Sequence, residues 1–240
     1  MITFSPLSHP GYRALLVTLL FAACFALGGC GEDEPKQRAT FIELLEKNIM
    51  AKPGIRYTEL TDAQKKEIGS TYVGQYELLA TLHKDKTFDS KFSSMFSNMQ
   101  KGLRPGPTGD MLPIVKSTRA SMSEAEAFTE SKLEELQTQK NALKQPDDLK
   151  VVYDKAFAKM VLAPLAAVVE VFQLATEALD ASAALHEYLE QNPGAGEFSG
   201  NVLSPKKPEH EKKLRELLTE MNEKAQKVQE ASKKLNSLIR

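Results

Sequence analysis

The sequence predicts an all-α fold, an elongated bundle of about five helices that follows an N-terminal lipoprotein signal. Apolar residues recur every 3.5 to 3.6 residues, roughly the period of a packed helix. Pro and Gly fall where these patterns stop, and no run of alternating apolar and polar residues predicts a strand. Of the 240 residues, 42% are hydrophobic and 26% are charged, as is typical of a globular protein.

The N-terminus has the layout of an export signal. Arg13 precedes an uncharged apolar run at residues 14–27, which is shorter than the roughly 20 residues that span a bilayer. The run ends in LGGC, which resembles the lipobox of bacterial lipoproteins and predicts that Cys30 is processed and lipidated. Cys24 fits less well, because a bulky phenylalanine lies three residues before it. The alternative is an ordinary signal peptide with an incidental cysteine.

The predicted organisation has five parts. Residues 1–29 are the signal peptide, 30–36 an acidic tether after the lipidated cysteine, 37–190 the core helical domain, 191–208 a loop, and 209–240 a basic C-terminal helix packed on the bundle. Lipid chains on Cys30 would hold the protein at a membrane. Gly31, rather than Asp, follows the cysteine, which favours the periplasmic face of the outer membrane.

Two helices are predicted first. One spans about residues 36 to 51 and ends at a Lys-Pro-Gly sequence. The other begins at Thr61, where the Thr61 hydroxyl can accept a backbone N–H while Gln64 reaches back, forming a capping box. The residues expected to be buried in these helices are Phe41, Leu44, Leu45, Ile49, Ile68, Tyr72, Tyr76 and Leu79.

A phenylalanine and methionine stripe follows at helical spacing and ends near Gly102. It predicts either core or an exposed, adaptable groove, since Met suits both. A loop rich in Pro and Gly is expected at residues 102–113, before a helix at about 114–144. The residues of the stripe are Phe88, Phe92, Met95, Phe96 and Met99.

The most buried helix is predicted from about residue 146 to residue 190, with a kink at Pro164. Charged residues interrupt its apolar surface before 20 residues accumulate, roughly the length of a membrane span, which disfavours that alternative. A heptad seam runs along the helix. The seam consists of Val161, Leu165, Val168, Phe172, Ala175, Leu179, Ser182, His186 and Leu189.

The last helix is basic, with 10 Lys and Arg against 6 Asp and Glu over residues 206–240. This charge predicts either a solvated face complementary to acidic neighbouring helices or a surface for anionic lipid or an acidic envelope partner. Its predicted seam is Leu214, Leu218, Met221, Ala225, Val228, Ser232, Leu235 and Ile239. The candidate partner surface is Lys212, Lys213, Lys227, Lys233 and Lys234.

Residues suited to catalysis are sparse. The three histidines after the signal, His83, His186 and His210, form no metal-binding pair, and His186 is expected to be a hydrogen-bonded core or boundary residue. No phosphate-binding loop or nucleophile elbow occurs. The sequence predicts no enzyme, no cofactor and no metal site. A net charge of −1 and the absence of Trp argue against nucleic-acid binding.

Two long segments carry a family resemblance. QRATFIELLEKNIM (37–50) with TELTDAQKKEIG (58–69), and ALKQPDDLKVVYDKAFAKMVLAP (142–164), resemble the YiaF-like family of bacterial lipoproteins, whose common domain has no assigned function. The resemblance reaches to about Leu189 and is weaker beyond it. It implies lipidation at Cys30 and supplies no catalytic or ligand residues.

These observations predict a membrane-anchored envelope lipoprotein, a non-catalytic binding or structural module that faces the periplasm. Its expected partners are the membrane, through lipidated Cys30, and an unknown envelope protein or peptidoglycan. One alternative is an immunity-type or inhibitor lipoprotein directed against an envelope enzyme. Another is a hydrolase, which would need a cleft with a perturbed acid, base or nucleophile.

Overall fold

The helices follow the apolar patterns of the sequence. A computed structural model describes residues 33–103, 108–200 and 202–239. The all-α class is confirmed, with more helical segments in these ranges than the five expected. The segments are α1 (Glu34–Leu45), α2 (Asp62–Leu79), α3 (Thr81–Lys84), α4 (Lys86–Gly102), α5 (Thr108–Asn141), α6 (Asp147–Phe157), α7 (Ala163–Gln191) and α8 (Pro208–Ile239).

Helices α1 and α2 form as their sequences predict. All the apolar residues expected to be buried there are buried. The capping box is present: the Thr61 backbone N–H donates to Gln64 Oε1 at 2.9 Å, and the Gln64 N–H donates to Thr61 Oγ1 at 3.3 Å. Helix α1 continues as a π-helical turn at Glu46–Met50. Because α1 begins at Glu34, the last residues of the predicted tether are helical.

Helices α6 and α7 form one continuous helix of 45 residues, Asp147–Gln191. A π-helical turn at Ala158–Leu162 joins them immediately before Pro164. Proline lacks an N–H and cannot complete the regular hydrogen-bond ladder, and wide turns of this kind accommodate such breaks. The disruption predicted at Pro164 is therefore absorbed in the turn before it.

The seam predicted along this helix is buried at every position, from Val161 to Leu189. The part of the seam from Val168 to Leu179 packs against α4, α5 and α8. Among the described residues, Asp147–Gln191 is also the one helix that length and composition alone would allow to cross a membrane. Its buried seam is what the central helix of a bundle requires.

Two polar contacts show how the helices are arranged along the length of the molecule. Arg38 Nε lies 3.3 Å from Asp148 Oδ2, so the beginnings of α1 and α6 lie together. The Ile55 N–H donates to the Leu238 carbonyl at 2.8 Å, which places the end of α8 beside the segment after α1. Helix α8 therefore returns along α7, and the 45-residue helix sets a length of about 67 Å.

The predicted loop at 191–208 contains a small sheet, which corrects the sequence analysis. Strands β1 (Gly196–Ser199) and β2 (Val202–Pro205) pair antiparallel, with Ser199 opposite Val202. The Gly-Asn sequence between the strands is a hairpin signal that contradicts the predicted loop. Gly200 has φ +60°, which favours glycine. The hairpin covers the end of α7.

The loop predicted at 102–113 is shorter than expected. Helix α5 already begins at Thr108 and includes Pro113 in an early turn. Residues 104–107 lie outside the described ranges. Pro113 lies just beyond the first turn of this helix, so its missing N–H leaves one bond of the regular ladder unmade.

Candidate binding groove

An open groove of about 730 Å³ runs between α4 and α8. Both helices pack on α7, and α4 also packs on α5, so the groove lies over the middle of the bundle. Its volume falls in the range of about 300 to 1,000 Å³ typical of ligand sites. The groove is therefore large enough to hold a ligand or a segment of a partner protein.

The wall formed by α4 is apolar. Phe96, Met99 and Leu103 recur at intervals of 3 and 4 residues and therefore share one helix face. Met99 is buried, whereas Phe96 and Leu103 are half-buried. The stripe that sequence analysis assigned to either core or groove serves as both. The side chains of Phe88 and Phe92 lie outside the described part of the chain.

The wall formed by α8 is polar. Asn222, Gln226, Gln229, Lys233 and Asn236 follow one another at intervals of 4, 3, 4 and 3 residues, which aligns them along one helix face. All five side chains are exposed. The Gln226 amide donates to Glu230 Oε1 at 2.9 Å. The row presents four carboxamide groups and one ammonium group to the groove.

The groove exists because the predicted seam of α8 is only partly covered. Ala225 and Ser232, both predicted as seam residues, are half-buried and line the groove. Leu217 and Ala231 are buried on the opposite flank of the seam. Helix α8 is thus rotated toward α7, and one edge of its seam has no helix packed against it in the described part of the structure.

Acidic residues of α7 neutralise the other flank of α8. Lys234 Nζ lies 2.8 Å from Glu170 Oε2, and Lys224 pairs with Glu177. The hydrogen bond from Lys224, together with the more distant charge of Lys227, lowers the pKa of the exposed Glu177 carboxyl. This face matches the interpretation of α8 as a solvated helix complementary to acidic neighbours.

The five lysines of the candidate partner surface are all exposed but do not form one patch. Lys234 pairs with α7, and Lys213 lies 4.0 Å from Glu216 of its own helix. Lys233 faces the groove. Lys212 lies about 22 Å along the helix from Lys227. The partner role of these lysines stays a prediction, with Lys233 in the position best suited to it.

The chemistry of the groove is that of hydrogen bonding. Among the described residues of the lining, the titratable side chains are Glu230 and Lys233, both exposed, and the remaining polar groups are amides and the Ser232 hydroxyl. Elsewhere in the described ranges, no cluster of three or more His, Cys, Asp or Glu side chains could hold a metal ion. Cys30, the predicted lipidation site, lies outside the described residues.

The row of amides was not predicted from the sequence. Each residue of the row directly follows a seam residue of α8, as Asn222 follows Met221 and Gln226 follows Ala225. Exposed helix positions in this chain more often carry charged residues than Asn or Gln. The repetition of Asn and Gln at the spacing of the seam was therefore the sequence signal for the row. It indicates a surface that makes hydrogen bonds without a net charge.

Comparison with known proteins gives a family and no function. The model of a family described as "Protein of unknown function (DUF3053)" matches residues 17–236. Proteins named "Uncharacterized protein YiaF" from Escherichia coli K12, Escherichia coli O157:H7 and Shigella flexneri are 31% identical over 153 residues, or 58% of this chain. The matched region spans 59% of those relatives. No solved structure matches significantly. The chain belongs to the DUF3053 family of proteins of unknown function.

Proposed function

We propose that this protein is a non-catalytic binding module of the bacterial envelope, anchored by lipid on Cys30 and facing the periplasm from the outer membrane. The groove between α4 and α8 is its binding surface. The observation that carries the proposal is the partly uncovered seam of α8, which faces an apolar wall across an open groove. A bundle stabilised only by its own packing gains nothing from leaving such a seam open.

The anchor and the groove lie at separate positions along the molecule. Cys30 precedes the start of α1 by four residues, which span at most about 14 Å. The groove lies beside residues 170–177 of α7, about 33 to 44 Å along the long helix from Asp148. A lipid on Cys30 would therefore hold one end of the bundle near the bilayer while the groove stays accessible.

Binding accounts for the groove better than catalysis does. Carboxamide side chains form hydrogen bonds but do not exchange protons near neutral pH, and general acid–base catalysis depends on that exchange. Glu230 and Lys233 are open to solvent, whereas a catalytic acid or base is usually held in a cleft that excludes water. An inhibitor or immunity role is one form of binding and would use the same groove.

Crosslinking in living cells tests the proposal. A photoreactive benzoyl-phenylalanine replaces Gln229 in the groove or, as the control, Gln137 on the exposed face of α5. We expect a covalent adduct with another envelope component from position 229 and none from position 137. The proposal would be abandoned if positions 222, 229 and 236 gave no adduct while the protein remained folded.

A further inference from the structure

We infer that the groove binds an extended, uncharged peptide segment and recognises its backbone through the row of amides on α8. This inference rests on the proposed function and adds the chemical class of the ligand. The amide row is defined as Asn222, Gln226, Gln229 and Asn236.

The hydrogen-bonding capacity of the amide row matches that of a peptide backbone. Each carboxamide offers one oxygen acceptor and two N–H donors, and each peptide group of a ligand needs one donor and one acceptor satisfied. A helical ligand already satisfies these groups internally and would leave the row unused. An extended strand leaves them free, so the row favours an extended segment.

The opposite wall fits the side chains of such a segment. In a strand, side chains alternate between the two faces that separate its hydrogen-bonding edges. When one edge faces α8, every second side chain therefore points down into the groove, where it can contact the apolar side chains of Phe96, Met99 and Leu103. The row from Asn222 to Asn236 is about 21 Å long, enough for about six extended residues. The flexible thioether of Met99 can adjust to different apolar side chains.

The described lining of the groove carries little net charge, which disfavours strongly charged ligands. Among its described residues it contains one carboxylate, Glu230, and one ammonium group, Lys233. Nearby basic residues of α8 are paired with α7, as Lys224 is with Glu177 and Lys234 is with Glu170. A polyanion would find little net attraction here. Phe96 is the one aromatic residue among the described residues of the lining, whereas stacking on a chain of sugars calls for broader aromatic surfaces.

The test uses the full-length protein purified from membranes in detergent. It is applied to an array of ten-residue peptides, capped at both ends, that tile the envelope proteins of the same bacterium. The strongest binder is then measured by fluorescence anisotropy, with and without N-methyl groups on alternate backbone nitrogens. N-methylation removes N–H donors and keeps the side chains, so it tests recognition of the backbone.

Two paired variants isolate the amide row. The N222A/Q226A variant removes two amides four residues apart from the groove, whereas the Q137A/N141A variant removes the same two residue types, at the same spacing, from the exposed face of α5. We expect N222A/Q226A to weaken peptide binding about tenfold, as removal of two neutral hydrogen-bonding groups should. We expect Q137A/N141A to leave peptide binding unchanged. N-methylation of the peptide should weaken binding about as much as N222A/Q226A does.

Several results would overturn the inference. It fails if no peptide binds, if the two paired variants bind alike, or if N-methylation has no effect. It also fails if purified peptidoglycan binds in place of peptides and loses binding in N222A/Q226A, which would identify a glycan ligand. In that last case crosslinks from the groove would persist in cells. The groove would then keep its proposed binding role, but its ligand would not be a peptide.

Discussion

The Phe198 ring of the hairpin lies against the imidazole of His186 on α7, with ring centroids 6.2 Å apart and planes inclined by 19°. His186 is fully buried, and neither ring nitrogen has a hydrogen-bond partner among the described residues. The expectation of a hydrogen-bonded histidine was therefore wrong, although its seam position was right. Burial lowers the pKa of His186, and the nearby Glu190 carboxylate only partly opposes this.

The buried His186 predicts a loss of stability in mild acid. Its pKa in the folded state lies below the unfolded value of about 6.5, so the unfolded chain binds the proton more readily. The free energy of unfolding should fall as the pH drops below about 6.5, by up to about 1.4 kcal/mol per pH unit until the folded pKa is reached. Urea titrations between about pH 5 and pH 7 measure how the free energy of unfolding changes with pH.

The His186→Leu variant should flatten this slope, because the group that titrates is gone. The matched control is His83→Gln, which alters an exposed histidine and should retain the slope. Equal slopes in His186→Leu and the wild type would show that other groups cause the pH dependence.

Truncation of Phe172 in the seam of α7 should strongly reduce stability, because this side chain is 1% exposed. Phe172→Ala should reduce the free energy of unfolding by about 3–5 kcal/mol, since it removes buried apolar surface and leaves a cavity. Phe128→Ala, at a half-buried ring of α5, should cost less. Chemical denaturation measures both, and a loss below about 1 kcal/mol at Phe172 would contradict its place in the core.

Two glycines of α2 should respond to alanine in opposite directions. Gly69 has φ +75°, and an added Cβ would lie 2.6 Å from Gln37 Oε1. Gly69→Ala should therefore cost about 1–3 kcal/mol. Around Gly74 no atom lies within 4 Å of an added Cβ, so Gly74→Ala should stabilise the helix by about 0.5–1 kcal/mol. Thermal unfolding of both variants checks the prediction, and a shift in the same direction would refute it.

Charge removal tests the basic face of α8. Replacing Lys212, Lys213, Lys227, Lys233 and Lys234 with Gln should leave the circular dichroism spectrum nearly unchanged, because all five side chains are exposed. Crosslinks to the envelope should decrease. Lys234→Gln alone should change the crosslinks little, since Lys234 is paired with Glu170. Intact folding with unchanged crosslinks would leave α8 as a solvated bundle member.

The sequence was most informative where packing covers a helix on several sides. The α7 seam could be predicted because its apolar residues face neighbours along their whole length. The α8 seam could be predicted only in part, because Ala225 and Ser232 suit a packed seam and a groove equally well. Their exposure depends on how far α4 lies from α8, which no local pattern contains.

Local breaks were also hard to predict. The kink at Gly69 depends on its close approach to Gln37, a contact between helices that is invisible in the α2 sequence. In the π turn before Pro164, Lys159 Nζ donates to the Ile49 carbonyl at 2.8 Å, a contact with the π turn after α1 that the sequence of the long helix does not show. The hairpin, in contrast, was marked by Gly200 and Asn201 and was within reach of sequence reasoning.

The central claim, that the protein works while tethered to a membrane, is tested most directly by mass spectrometry of its mature N-terminus after purification from cell membranes. We expect Cys30 to be the first residue and to carry a diacylglyceryl group, and we expect Cys30→Ser to lose both cleavage and lipid. An unlipidated N-terminus that starts at another residue, with membrane recovery unchanged in Cys30→Ser, would contradict it.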